Sequence, residues 1–381
     1  MKVGLDVFLE KEWQAFSGKR IGLVTNMTGV NRQLIPSIDL FHEHDGIHLT
    51  ALYGPEHGIR GDAKEGEEIA SSVDPYTGVP VYSLYGDSKK PSREMLEETD
   101  VIVFDLQDIG ARYYTYIYTM AYMMEACRDY GKQFVVLDRP NPISGENVEG
   151  NLVEEGIRSF VGLYPIPNRH GMTVGELALF YQNELGIDCE LTVVKMEGWK
   201  RMQYFDETDQ FWVPPSPNTT GIDMCTLYPG TCLVEGTNLS EGRGTTRPFE
   251  YIGAPYVEGY RLAKEFNSRK LPGVLARPVS FVPFYQKHEG KVCEGVQLHV
   301  SDRRKVESVR TGLALLETVA DLYPEAFEFN EWNGKYFFDL LAGTRSLRDK
   351  IRNKETEASL RENQSDLERF KEKSAPYLLY N

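Results

Sequence analysis

Short apolar runs and amphipathic stretches alternate through the first half of the chain. Arg20 to Asn26 (RIGLVTN), His48 to Tyr53 (HLTALY), Val101 to Gln107 (VIVFDLQ) and Gln133 to Asp138 (QFVVLD) each read as a buried strand closed by polar residues. Leu34 to His44 and Tyr113 to Tyr130 lie between them with helical spacing. This alternation predicts βαβ units around a parallel sheet, so the fold class is α/β. MTVGELALFYQNELG, from Met172, predicts another helix, with Thr173 as N-cap and Glu176 closing a capping box. Leu191 to Lys195 follows as a strand.

The second half is less regular. Cys232 to Glu235 reads as a strand entering a long glycine-rich loop that extends to Pro255. Tyr256 to Asn267 and Lys305 to Tyr323 read as helices, and Val279 to Tyr285 and Gly295 to Val300 as strands. Leu347 to Phe370 sets apolar positions among many charges, the pattern of a solvated amphipathic helix or helix pair. The alternation of the first half stops near Ser144 to Phe160. Two domains are therefore expected, 1–150 carrying the glycine-rich loop Leu52 to Asp62 and 151–381 closing a cleft against it, which suits a length of 381 residues.

Composition narrows the function. A formal charge of −15 argues against general nucleic-acid binding, and any anionic ligand must be held by a local group of arginines. The five cysteines form no CxxC pair, so buried free thiols are expected rather than a disulfide framework or a thiolate zinc site. Charges interrupt MKVGLDVFLEKEWQAF, leaving no signal-peptide core and no membrane span. The expectation is a cytoplasmic protein, or a secreted or periplasmic one whose leader has been removed. TNMTGVN stands where a GxGxxG would follow the first strand, and there is no P-loop, so no cofactor is expected.

The densest chemistry is LYGPEHGIRGD, Leu52 to Asp62, where three glycines and a proline surround Glu56, His57, Arg60 and Asp62. Asn26, Glu56, the Asp105/Gln107/Asp108 group and Asp138/Arg139 all fall at or just after strand ends, the edge where open α/β sheets bind ligands. Such a set suits glycosidic cleavage, which takes a carboxylic acid to protonate the leaving oxygen and a second group at the anomeric carbon. Glu56 is the acid in this reading, its pKa raised by desolvation beside a buried strand end. His57 and Asp108 tune or position it. Asp105, Asp108, Glu235 and Glu241 stand as alternatives for the second group, as does a 2-acetamido group on the substrate itself. Tyr113, Tyr114 and Tyr116 are placed to stack on sugar faces. A competing chemistry is a metal site from Glu56, His57 and His170, as in a metal-dependent amidase or deacetylase, although HExxH and HxH spacings are missing and no metal is assigned. A non-catalytic sugar-binding protein is the third class.

GPEHGIRG, FDLQDIGARYYTY, LDRPNPISG, RHGMTVGELA, VPPSPN and YPGTCLVEGTNLSEGRGTTRPFEYIGAP, in that order, resemble the NamZ-type exo-β-N-acetylmuramidases, glycoside hydrolase family 171. The resemblance runs from about Gly4 to the terminal YLLY. It implies a Rossmann-like N-terminal domain with a parallel sheet, a smaller α/β C-terminal domain, and a cleft between them. It implies release of N-acetylmuramic acid from the non-reducing end of peptidoglycan fragments, a disaccharide or muropeptide substrate, and a catalytic glutamate at Glu56. The lactyl carboxylate of that sugar calls for bidentate arginine recognition, for which Arg60, Arg112, Arg139, Arg243 and Arg247 are the candidates. Asn26, Gln107, Arg112, Tyr116, His170, Asn238, Glu241 and Arg243 complete the expected pocket.

Overall fold

The computed structural model describes residues 1–56, 58–60, 72–86 and 89–381. Seven strands, β1 (Arg20–Thr25), β2 (His48–Gly54), β3 (Ser72–Val73), β4 (Pro80–Ser83), β5 (Val101–Asp105), β6 (Gln133–Leu137) and β7 (Glu190–Val194), form one sheet in the order β3-β4-β2-β1-β5-β6-β7. All pairings are parallel except that of the edge strand β3 with β4. Numbered along the chain, the parallel strands lie in the order 3-2-1-4-5-6, and the order reverses between β1 and β5.

Alternate side chains of these strands enter two different cores, as the two-residue period of a strand requires. Ile21, Leu23, Val101, Val103, Val135 and Leu137 pack on one face with Leu5 and Phe8 of α1 (Gly4–Glu10) and Ile38 and Phe41 of α2 (Ser37–Glu43). Val24, Ile102, Phe104, Phe134 and Val136 pack on the other, against α3 (Tyr116–Tyr130) and α4 (Val174–Glu184). Thr173 caps α4, and its capping box with Glu176 is formed. α2 starts after Pro36 rather than at Leu34, because Leu34 and Ile35 lie in a turn fastened on Asn31. α1, β3 and β4 are too short to carry a periodic signal.

The expected junction at residue 150 falls inside this unit, since α4 and β7 both belong to it. The loss of alternation near Ser144 comes from a long loop between β6 and α4, not from the end of the sheet.

The remaining chain builds α5 (Ile222–Thr231), β8 (Tyr251–Ala254), α6 (Gly259–Ser268), β9 (Val274–Phe281), β10 (Cys293–Val300) and α7 (Ser308–Leu322). β8, β10 and β9 form an antiparallel sheet in that order. A two-stranded hairpin, β11 (Glu331–Trp332) and β12 (Lys335–Tyr336), precedes four short helices, α8 (Phe337–Ala342), α9 (Leu347–Arg352), α10 (Thr356–Glu362) and α11 (Gln364–Ser374). The expected strand at Cys232–Glu235 is instead a 3₁₀ turn, Cys232–Gly236, continuing from α5. α5 is covered almost all round, so its residues show no helical stripe, and a four-residue apolar run cannot separate strand from buried helix. The core on the α3/α4 face continues without a break through α5 and α7, so one apolar cluster joins both parts of the molecule.

Candidate active site

A cavity of about 420 Å³ opens where the two parts meet. One wall comes from the C-terminal ends of the parallel strands: Glu56 after β2, Tyr85 after β4, Tyr113 and Tyr114 in the segment that links β5 to α3, and Tyr116 at the start of α3. The opposite wall carries Tyr228 from α5, Cys232 and Glu235 from the 3₁₀ turn, and Arg243 and Phe249 from the glycine-rich loop. Ser216, Asn218 and Thr219, Gln286, Phe337 and Leu341 add to the lining.

A row of aromatic rings in edge-to-face contact runs from one wall to the other. Tyr116 meets Tyr114 at 5.0 Å between centroids, Tyr114 meets Tyr228 at 6.4 Å, and Tyr228 meets Phe249 at 4.7 Å. The Arg243 guanidinium lies over Phe249 at 5.1 Å. Edge-to-face geometry suits the quadrupoles of the rings and fixes their order across the cavity. Tyr116 receives a hydrogen bond from Asn26 Nδ2 (2.9 Å) and donates to the carbonyl of Pro215 (2.7 Å). Burial first, and the Glu56 carboxylate second, push its phenol well above its ordinary range, so it stays a hydroxyl. The bond to Pro215 also ties down the VPPSPN segment, and Tyr285 donates to Asn218 Oδ1 (3.2 Å) to join that segment to the turn between β9 and β10.

Glu56 and Glu235 occupy unlike surroundings. Glu56 is partly buried and makes no hydrogen bond or ion pair with a described residue. Glu235 accepts from Arg243 Nη2 (3.1 Å) and from the Cys232 thiol (3.7 Å). Burial, with the Glu235 charge adding to it, raises the Cys232 thiol well above its usual range. Arg243 Nε lies 3.4 Å from Glu241, which in turn binds Lys287 Nζ at 3.0 Å. That ammonium also donates to the carbonyls of Val234, Glu235 and Leu239 at 2.9–3.1 Å, clamping the turn that presents Glu235.

Of the residues expected from sequence, Glu56, Tyr113, Tyr114, Tyr116, Glu235 and Arg243 line the cavity. Several others serve the framework. Asn26 sits one layer beneath, holding Tyr116 and receiving Thr28. Arg139 grips Asp105 through two bonds of 2.6 and 2.9 Å and donates to the carbonyl of Val30. The crevice at the strand-order reversal is thereby filled by the chain's own ion pair. Gln107 donates to the carbonyls of Asp108 and Pro140. Asp108 is buried away from the lining; it receives Gly110 N (2.7 Å) and His170 Nε2 (3.2 Å), while His170 Nδ1 accepts from Met172 N. That pattern assigns the proton to Nε2, and neither Asp108 nor His170 lines the cavity beside Glu56.

The other arginines are likewise occupied elsewhere. Arg60 forms a bidentate pair with Asp74 (3.0 and 3.1 Å) at another surface depression. Arg112 is wholly buried and donates to the carbonyls of Asn151, Ile166, Leu341 and Ala342; burial pushes its pKa down. Arg247 is 53% exposed and faces Glu250. Asn238 ties Ala326, Glu328 and Tyr256 together and does not reach the lining. Glu241 acts behind the wall, through Arg243 and Lys287. His57 and Asp62 lie outside the described residues. Among the described residues no group of three or more His, Cys, Asp or Glu side chains could hold a metal ion.

Sequence reasoning passed over Ser216, Asn218, Tyr228, Phe249, Gln286 and Phe337. The proline-stiffened VPPSPN was a usable signal for the first two. Gln286 and Phe337 carry none, since only the tertiary fold brings them to the mouth.

Two family models match in sequence. Exo-beta-N-acetylmuramidase NamZ, N-terminal, covers residues 21–223, and Exo-beta-N-acetylmuramidase NamZ, C-terminal, covers residues 226–380. The peptidoglycan beta-N-acetylmuramidase NamZ of Bacillus subtilis (strain 168) is 51% identical over 381 residues, which is 100% of this chain and 91% of that protein. Crystal structures of two DUF1343 family proteins from Bacteroides fragilis NCTC 9343 share the fold, with TM-scores of 0.93 and 0.80 at 40% and 31% identity. Both superpose over 100% of this chain and 99% of their own.

Proposed function

Because the chain belongs to the NamZ family of exo-β-N-acetylmuramidases, we propose that the cavity between Glu56 and Glu235 is its active site and that Glu56 is the general acid. The protein is a glycoside hydrolase that releases N-acetylmuramic acid from the non-reducing end of peptidoglycan fragments. The observation that carries the site assignment is convergence: an acid from one part of the molecule and an arginine–glutamate pair from the other line one cavity. Its volume lies near the lower end of the roughly 300–1,000 Å³ common for small-molecule sites, which suits one terminal sugar rather than a threaded glycan. A disaccharide or short muropeptide is the substrate in this reading.

Glu56 protonates the leaving oxygen. It lines the cavity, is partly buried, and has no ion-pair partner among the described residues. The aromatic row supports the sugar ring, while Ser216, Asn218 and Gln286 offer polar groups to its hydroxyls. Arg243 receives the lactyl carboxylate, being the one of the five candidate arginines that lines the cavity. The 3-2-1-4-5-6 order of parallel strands supports a Rossmann-like description of the first sheet.

The test is hydrolysis of a chromogenic N-acetylmuramic acid glycoside beside its N-acetylglucosamine counterpart. The muramic substrate should be cleaved selectively, and Arg243→Ala should narrow the difference between the two by raising KM for the muramic one. Equal turnover of both substrates by the unaltered enzyme would defeat the assignment of Arg243.

A further inference from the structure

We propose that Glu235 is the second catalytic carboxylate, acting as the base toward the water that attacks the anomeric carbon. The proposal rests on the reading of the cavity as the glycosidase site. Four acids compete for this role on sequence grounds, and the structure separates them. Asp105 is consumed by Arg139, Asp108 is buried beneath the lining, and Glu241 points to Lys287 and Arg243 from behind the wall. Glu235 alone of the four lines the cavity that Glu56 lines.

Its surroundings fit a base. The Arg243 guanidinium at 3.1 Å favours a charged carboxylate, whereas Glu56 has no such neighbour among the described residues. Two carboxyls in one site, one beside a cation and one with none beside it among the described residues, divide naturally into proton acceptor and proton donor. The backbone under Glu235 is also fixed more firmly than a loop would allow. Lys287 Nζ holds the carbonyls of Val234, Glu235 and Leu239, and Glu241 balances its charge. Lys287 and Glu241 are therefore positioning residues: they touch no substrate and act through the turn and through Arg243.

In the proposed step a water oxygen bonds to the anomeric carbon while one of its protons passes to Glu235. The glycosidic carbon–oxygen bond breaks, and the leaving oxygen takes the proton of Glu56. The second water hydrogen stays on the new hemiacetal hydroxyl, and proton exchange with solvent restores both carboxyls. Attack from the face opposite the leaving group inverts the anomeric centre.

Two substrates separate this idea from the assignment of Glu56. One is a natural muramyl-terminated disaccharide, whose leaving sugar hydroxyl needs a proton. The other is nitrophenyl N-acetylmuramic acid, whose phenolate leaves without one. Glu235→Gln should lower kcat on both by roughly 10²–10⁴-fold. Glu56→Gln should lose a similar factor on the disaccharide and far less on the aryl glycoside. Glu235→Ala should regain activity with sodium azide, giving a glycosyl azide of inverted configuration, which a merely structural role would not produce.

Full activity of Glu235→Gln, failure of azide to rescue a folded Glu235→Ala, or retention of configuration in the first-formed sugar each overturns the role of Glu235. An unimpaired Glu56→Gln on the disaccharide instead overturns the assignment of Glu56.

Discussion

Replacing Arg112 with methionine would leave three backbone carbonyls, those of Asn151, Ile166 and Leu341, without their donor, while that of Ala342 keeps only Asn151 Nδ2. Burying unpaired carbonyls is costly, so Arg112→Met should destabilise the protein by about 3–5 kcal/mol, read as a drop in the midpoint of denaturant unfolding. Arg112 sits in a motif as rich in chemistry as the one holding Arg243, yet one joins chain segments and the other lines the cavity. Sequence does not separate such cases, because a buried guanidinium answers to carbonyls as readily as to carboxylates. Glu56 was legible because three glycines and a proline crowd a strand end around it. Arg139, Asn26, Gln107 and His170 were equally conspicuous, but their polar groups are spent on one another and on backbone.

At the scale of elements, the strands of the first sheet were readable because their runs are compact, branched and closed by polar residues. The helix at Thr173 was readable because its cap is written in side chains. The segment from α5 through Gly236 was not, since burial on every side erases the stripe that marks a helix. α5 and α7 touch backbone to backbone at Gly230 and Gly312. A Cβ on Gly230 would lie 1.8 Å from the carbonyl oxygen of Ser308, and one on Gly312 would lie 2.2 Å from that of Gly230. Gly230→Ala must push the two helices apart, at about 1–3 kcal/mol. α5 runs directly into the turn that holds Glu235, so the same change should also lower kcat. Assays of activity in parallel with thermal unfolding would show both effects, and loss of stability with unchanged kcat would mean that the turn is set by Lys287 alone.

Across the whole molecule, the C-terminal tail returns to the first sheet. Leu379 N donates to Glu176, Arg201 N donates to the carbonyl of Asn381, and Tyr380 donates to Asp138 Oδ2 at 2.6 Å. Burial pushes the Asp138 carboxyl up to about 7. Its Oδ1 takes two backbone N–H groups and its Oδ2 faces the hydroxyls of Thr173 and Tyr380, an arrangement that also accepts a neutral acid. The folded value lies above the ordinary one of roughly 4, so the folded state holds this proton where the unfolded chain has lost it. The resulting stabilisation is fully present below roughly pH 4 and disappears as pH rises through about 7. Relative to Asp138→Asn, which carries no charge at any pH, the unaltered protein should therefore lose melting temperature between about pH 4 and about pH 7. Parallel melting curves for the two proteins would count against a neutral Asp138.

The cavity lining is scattered from Glu56 to Leu341 along the chain. On a translating ribosome the glutamate at 56 emerges long before Phe337 and Leu341 are polymerised. A nascent chain thus carries its acid with no chamber around it, and the enzyme comes to life only when synthesis is nearly finished.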